Sequence, residues 1–517
     1  MQIQRTSRRT LIKTGLLLAA GRAMGGFAAG SVLAERKAHT LIIVLDAFRA
    51  DCIGRKVRGT QVTPHLNALA HECMSFQSAF SASSFTKESM ASIFSGTYPP
   101  YHGVEQGYQA PPSIPTFFTD AKADGYSTAF FNTNPWLERE MVGPDGKGKL
   151  TWGFGAGVDF YTTVQNRTDD AGGEKDCPYA SAADVNGAIL ALLSKTQGDF
   201  RPFFALAHYM DVHEPFLREA PDKFTGLFHA PTVLRTVGAQ HTFSRDRGTV
   251  KRVCVDRVPL TDEDLSTMVA VKDEAAARLD EQLGMLFFEL KKRGLYERMT
   301  IVVTADHGEE LGEHGAFGHA RTLHTESLAV PLMIKSPDLK PSKVSRRVSN
   351  VNLRRCLMEL RGRKWVADGP LEDSLLDRKE KHDAEVYAGL GLFDLTKLVT
   401  CDGRAVISQP GATMEFDVDT DPSEKHPLKV DKDHALNLSR LTEYFRSSAR
   451  KDRVVQREST FAWQWVYREG ELKKRFETNP ASLSDPLRAT LKQKAKTGES
   501  IIDDGTAKEL RALGYLH

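Results

Sequence analysis

The stretch Thr40-Leu41-Ile42-Ile43-Val44-Leu45-Asp46 is an unbroken apolar run of strand length that stops on a carboxylate. A strand with one wet face alternates apolar and polar residues; a continuous run is what a parallel strand covered on both faces requires. Other runs take the same form: Thr128-Ala129-Phe130-Phe131 ends in Asn132-Thr133-Asn134, Phe203 to Ala207 ends in His208, and Thr300 to Ala305 ends in Asp306-His307. Val330 to Ile334 adds one more. Helical patterns separate them, the clearest running from Glu263 to Arg293 and closing at Gly294. This order predicts an α/β fold with a mostly parallel central sheet flanked by helices. Beyond residue 340 come short strands and turns, such as Glu385 to Ala388 and Lys397 to Thr400, which indicate a small C-terminal α+β subdomain.

In open α/β sheets ligands bind past the carboxyl ends of the strands. Asp46, Asn134, the segment from His208 to His213, and Asp306-His307 all fall on that edge. A further stretch, Ser83-Ser84-Phe85-Thr86-Lys87-Glu88-Ser89-Met90-Ala91-Ser92-Ile93-Phe94-Ser95-Gly96, reads as a short helix, with Met90, Ile93 and Phe94 in one stripe. Gly96 and Pro99-Pro100 stop it. Thr86 then lies at the helix N-terminus, where free N–H groups and the dipole favour an anion. Alone, the stretch fits a plain helix cap. The residues converging from separate strands turn it into a candidate nucleophile.

The chain has 517 residues, 41% hydrophobic and 26% charged, with a formal net charge of +2. These are globular values that give no reason to expect nucleic acid as a partner. No apolar run beyond residue 40 is long enough to span a bilayer, so no integral membrane segment is expected in the mature chain. The first 34 residues carry Ser7-Arg8-Arg9-Thr10-Leu11-Ile12-Lys13, then a weakly apolar segment, then small residues ending at Ala34. That order predicts a twin-arginine-type export signal and a periplasmic or extracellular location. The remainder divides into a catalytic domain over 35–340 with an inserted segment at 215–262, the subdomain at 341–435, and a charged, helix-rich tail at 436–517 whose Phe461, Trp463 and Trp465 are expected to pack on the main domain. Six cysteines show no zinc-ribbon spacing, and Cys177 with Cys254 is the pair to test for a disulfide.

Asp46, Thr86, Asp306 and His307 form a candidate site for one divalent metal: two carboxylates, one imidazole and one hydroxyl. Hard oxygen donors with a single histidine suit manganese, calcium, magnesium or zinc. Such an ion would lower the pKa of the Thr86 hydroxyl and neutralise a substrate oxyanion. These features fit attack on tetrahedral phosphorus or sulfur with a covalent threonyl intermediate. His213 and His319 are candidates to contact the substrate or protonate its leaving group. Asn134 and Lys87 are weaker candidates for anion contacts. Asp211 with His213 and His319 is the alternative that would hold a second metal.

Together these residues resemble the sulfatase family of the alkaline phosphatase superfamily, over roughly residues 39 to 430. Leu41 to Asp51 is similar to the family's first metal strand, Thr63-Pro64 to Ala70 to its threonine-proline helix, and Ser95-Gly96-Thr97-Tyr98-Pro99 to the end of its nucleophile motif. Thr304 to Glu309 with Glu313-His314-Gly315 resembles its second metal segment, and Glu415 to Glu424 its C-terminal strand and turn. The departures concern chemistry. Sulfatases carry Cys or Ser followed by x-Pro-Ser-Arg, which is oxidised to formylglycine; here Thr86 is followed by Lys87, Glu88, Ser89 and Met90. Oxidising a secondary alcohol would give a ketone, so no formylglycine is expected. Ala47 replaces a further acidic ligand of many sulfatases, and Asn132 to Trp136 replaces a lysine-tryptophan-histidine segment.

The resemblance therefore implies an exported sulfatase-like ester hydrolase. It would act on a phosphodiester or phosphonate ester more readily than on a sulfate ester, with a small-molecule, glycan-linked or lipid-linked substrate. Two rival readings are a transferase of phospholipid head groups and an inactive binding protein that kept the fold.

Overall fold

A computed structural model describes residues 37–104, 114–137, 140–142, 149–151, 153–164, 180–195, 201–213, 223–228, 233–235, 242–244, 262–315, 317–366, 373–377, 384–391 and 394–447. The export signal, the Cys177–Cys254 pair, most of the 215–262 insertion and the aromatic residues of the tail lie outside the described residues.

The strands that build the main sheet are β1 (His39–Leu45), β2 (Met74–Phe80), β3 (Ser127–Asn132), β4 (Phe160–Thr163), β5 (Phe203–Tyr209), β6 (Met299–Ala305), β9 (Ala329–Lys335) and β10 (Ser342–Ser349), with a small hairpin, β7 (Glu310–Leu311) and β8 (Phe317–Gly318), after β6. The main sheet has eight strands in the order β10-β2-β9-β6-β1-β5-β3-β4. All neighbours pair in parallel except across β9, which is antiparallel to both β6 and β2. Val330 to Ile334 is therefore the one main-sheet strand that runs against the rest. The apolar runs become the centre of the sheet because only there are both faces covered: Leu41 to Leu45 are fully buried.

Helices α1 (Pro64–Glu72), α4 (Ala182–Lys195) and α5 (Asp262–Lys292) pack together, as do α2 (Thr86–Ser95), α3 (Phe117–Ala123) and α6 (Leu353–Leu360). Among the described residues no helix is long and apolar enough to cross a membrane. A four-stranded antiparallel sheet follows, β11 (Val386–Leu390), β12 (Leu395–Val399), β13 (Arg404–Gln409) and β14 (Ala412–Asp417), with α7 (Lys432–Ser447) packed on it.

Helix α2 is anchored through Phe94. Its ring lies 4.7 Å from that of Phe117, 5.5 Å from Phe118, 5.6 Å from Phe130 and 5.3 Å from Phe154. The helix ends at Gly96, whose φ of 69° is left-handed backbone suited to glycine. Phe94→Ala is expected to cost about 3–5 kcal/mol, read as a lower urea midpoint at unchanged slope. A shift equivalent to less than about 1 kcal/mol would show that α2 is held by something other than this cluster.

Candidate functional site

Strands β1, β3, β5 and β6 run the same way and deliver Asp46, Asn134, His208, Asp306 and His307 to one edge of the sheet. Helix α2 begins at the same edge with Thr86 as its first residue. The residue before it, Phe85, is extended and makes no side-chain cap, so the N–H groups of the first turn receive no bond from a capping side chain. Thr86 Oγ1 lies 3.2 Å from His307 Nε2 and 3.5 Å from Asp46 Oδ2. Thr86, Asp46, His208, Asp306 and His307 are all fully buried.

Two carboxylates in one buried site repel, and the surroundings fix both in place. Asp306 Oδ1 accepts the backbone N–H groups of Ala47 (3.2 Å) and His307 (2.8 Å). Asp46 Oδ2 accepts the Asn134 amide at 3.0 Å. Burial, and then the charge of Asp306, pushes the Asp46 carboxyl well above its ordinary value. His307 donates its Nδ1–H to the Gly308 carbonyl at 2.8 Å, which leaves Nε2 bare and pointing at Thr86. Burial pushes His307 down to about 4, so it is neutral at pH 7, the form a ligand must have. Gly308 is required there, because a Cβ would collide with the Glu326 carbonyl oxygen.

The donors left over describe a cation site. Asp46 Oδ1, Asp306 Oδ2 and His208 Nε2 are buried and have no hydrogen-bond partner among the described residues. His208 Nε2 lies 3.4 Å from Asp46 Oδ2 and 3.9 Å from Asp306 Oδ2, and His307 Nε2 lies 3.6 Å from a carboxylate oxygen of each. Orphaned buried oxygens of two carboxylates beside imidazole nitrogens fit a divalent metal ion. The structure thus brings Asp46, Thr86, Asp306 and His307 together, and adds His208. The sequence signal for His208 was its place at the end of an apolar strand, where a histidine is as easily read as core.

The assisting residues lie alongside. The His319 ring is 4.5 Å from that of His307 and 4.9 Å from that of His213. His319 Nδ1 bonds Glu309 Oε1 at 3.1 Å, and Glu309 forms a buried ion pair with Lys272, whose ammonium also donates to the Ala47 carbonyl at 3.1 Å. Burial raises the Glu309 carboxyl, but Lys272 and His319 outweigh it and hold it down at about 2. Lys272 was not foreseen, because it sits on α5, where a lysine in an amphipathic helix reads as a solvated charge. Asn134, a candidate for anion contact, donates its amide to Asp46 Oδ2. Lys87 is fully buried with Nζ 5.8 Å from the Trp136 ring, and burial pushes its pKa well down. Asp211 caps α4 by accepting the Ala182 N–H at 3.1 Å. Among the described residues, the groups able to hold a metal are Asp46–His208–Asp306 and Glu310–His314–His324, and the set of Asp211, His213 and His319 does not appear.

A family model described as Sulfatase matches residues 38–362. The ulvan-active sulfatase of Formosa agariphila is 25% identical over 323 residues, which cover 59% of this chain and 58% of that relative. The chain therefore matches little more than half the length of that protein. The solved phosphonate monoester hydrolase SpPMH from Silicibacter pomeroyi superposes with a TM-score of 0.57 at 20% identity, covering 79% of this chain and 94% of that one. The lipoteichoic acid synthase LtaP from Listeria monocytogenes superposes with a TM-score of 0.52 at 16% identity, covering 80% and 92%.

Lys272→Met leaves Glu309 buried without its counter-ion and is expected to cost about 3–5 kcal/mol. Adding Glu309→Gln should restore most of that loss, measured by denaturant unfolding of both variants. An equally unstable double variant would mean that Lys272 matters through packing, not through the charge of Glu309.

Proposed function

The chain belongs to the sulfatase family, and from that premise we propose that it is an exported, metal-dependent ester hydrolase. In this reading it cleaves a phosphodiester or phosphonate ester faster than a sulfate ester. The observation that carries the reading is Thr86 Oγ1 at the start of α2, buried and 3.2 Å from His307 Nε2. A secondary alcohol at that position can attack directly but cannot supply the aldehyde of formylglycine chemistry. The twin-arginine-type pattern at Arg8-Arg9 supports export.

Asp46, His208, Asp306 and His307 would hold the metal, which when bound lowers the pKa of the Thr86 hydroxyl and offsets charge on the substrate oxygens. The first-turn N–H groups of α2 hold the same oxyanion. Thr86 Oγ1 attacks the central atom and forms the ester bond to it as the bond to the leaving alcohol breaks. Asp46 Oδ2, to which the hydroxyl donates at 3.5 Å, takes the hydroxyl proton. His319, with Nδ1 fixed by Glu309, presents Nε2 on the other side; together with His213 it supplies the proton to the leaving oxygen. Water then cleaves the threonyl ester, giving its proton to His319, while Asp46 returns the other to the Thr86 oxygen and restores the hydroxyl. The match to an ulvan-active sulfatase supports a glycan as one alcohol side of the substrate. A head-group transferase would share the threonyl ester and pass the group to a hydroxyl other than water.

The test is turnover of three matched chromogenic esters, an aryl sulfate, a phosphate monoester and a phosphodiester, by the metal-loaded mature protein. The phosphodiester should react fastest, and Thr86→Ala should lower that rate on the order of 10⁴-fold or more, while Thr86→Ser keeps part of it. A sulfate ester that reacts fastest, or a phosphodiesterase rate unaffected by Thr86→Ala, would overturn the reading.

A further inference from the structure

The hairpin formed by β7 and β8 carries His319 on one side and, at its tip, a second cluster that the hydrolytic site does not use. We propose that Glu310, His314 and His324 form a second metal site, separate from the catalytic one, that takes a borderline divalent cation of the zinc type. One donor atom from each of the three lies within 4.8 Å of the other two. Glu310 pairs across the hairpin with Gly318, His314 is in its loop, and His324 is in the segment leading to β9.

The surroundings of the imidazoles are those of metal ligands. His314 Nε2 lies 3.2 Å from Glu326 Oε2, and His324 Nδ1 lies 2.9 Å from Glu424 Oε2. Each ring thus has one nitrogen committed to a buried carboxylate and keeps the other, the arrangement that fixes the tautomer of a ligating histidine. Glu310 is oriented by the Thr322 hydroxyl at 3.0 Å, and Glu424 is held by Thr325 and by an ion pair with Lys397. Among the described residues, three buried carboxylates, Glu310, Glu326 and Glu424, surround the rings and Lys397 pairs with one of them, an imbalance that further positive charge offsets. Protons or a bound cation can supply it. The two rings stack at 3.6 Å with planes 9° apart, so charging both would press like charges together. One divalent ion bound to both rings compensates the carboxylates without that repulsion.

Two neutral imidazoles with one carboxylate form a donor set common for zinc. Because His324 is bonded to Glu424 of the C-terminal subdomain and Glu310 lies on the hairpin that leads to His319, the ion would link the two through His324. The test uses the full chain, stripped with a chelator, reloaded with zinc and freed of excess by gel filtration. Asp306→Ala disables the catalytic site, so that variant should retain one tightly held zinc per chain and gain thermal stability when zinc is added. Asp306→Ala combined with His324→Gln, or with Glu310→Gln, should lose both. Cobalt(II) in Asp306→Ala gives an independent readout, since tetrahedral nitrogen and oxygen ligation produces visible bands without any change to the new site. If Asp306→Ala binds no zinc or cobalt tightly, or if the bound ion survives both added substitutions, the proposal is overturned.

Discussion

Two carboxylates, Asp46 and Asp306, stand fully buried at the ends of adjacent parallel strands, and the structure around them is shaped by the cost of that placement. Backbone N–H groups of Ala47 and His307 and the Asn134 amide supply partial compensation. Among the described residues, one oxygen of each carboxylate is still left without a partner, a defect that a bound cation would relieve. Thr86 is placed against the same pair, so in the proposed mechanism the cation that relieves the defect would also activate the hydroxyl.

A second line of charge runs beside the first. Lys272, on a long helix remote in sequence, fixes Glu309; Glu309 fixes His319; and His319 packs on His307. The scaffold therefore reaches the histidines beside Thr86 through a buried ion pair. The ordering of that histidine depends on α5 being docked, which couples the integrity of the fold to the geometry of the chemistry.

The central part of the fold was legible because parallel strands buried on both faces must be continuously apolar, as Thr40 to Leu45 and Thr300 to Ala305 are. The strand at Met74–Phe80 was not, since Ser75, Gln77 and Ser78 interrupt it; nor were the edge strands Phe160–Thr163 and Ser342–Ser349, whose exposed faces dilute the pattern. Apolarity also carries no direction, so nothing in Val330 to Ile334 revealed that it runs antiparallel. At the site, Asp46, Thr86, Asp306 and His307 could be picked out because each follows a strand or opens a helix. His208 and Lys272 lie within regular elements, where only the tertiary neighbours distinguish a ligand or an ion-pair partner from packing or solvated charge. The partner of Asn134 is likewise a fact of three dimensions.

The covalent role of Thr86 is the claim on which the account turns, and it can be observed directly. The metal-loaded protein would be mixed with an excess of a reactive phosphodiester, quenched in acid during turnover, digested and mapped by mass spectrometry. The account predicts that the peptide containing Thr86 carries the added phosphoryl ester on that residue, and that the adduct disappears once substrate is exhausted. Turnover under the same quench with Thr86 unmodified and the group carried on another residue, such as His213 or His319, would contradict it.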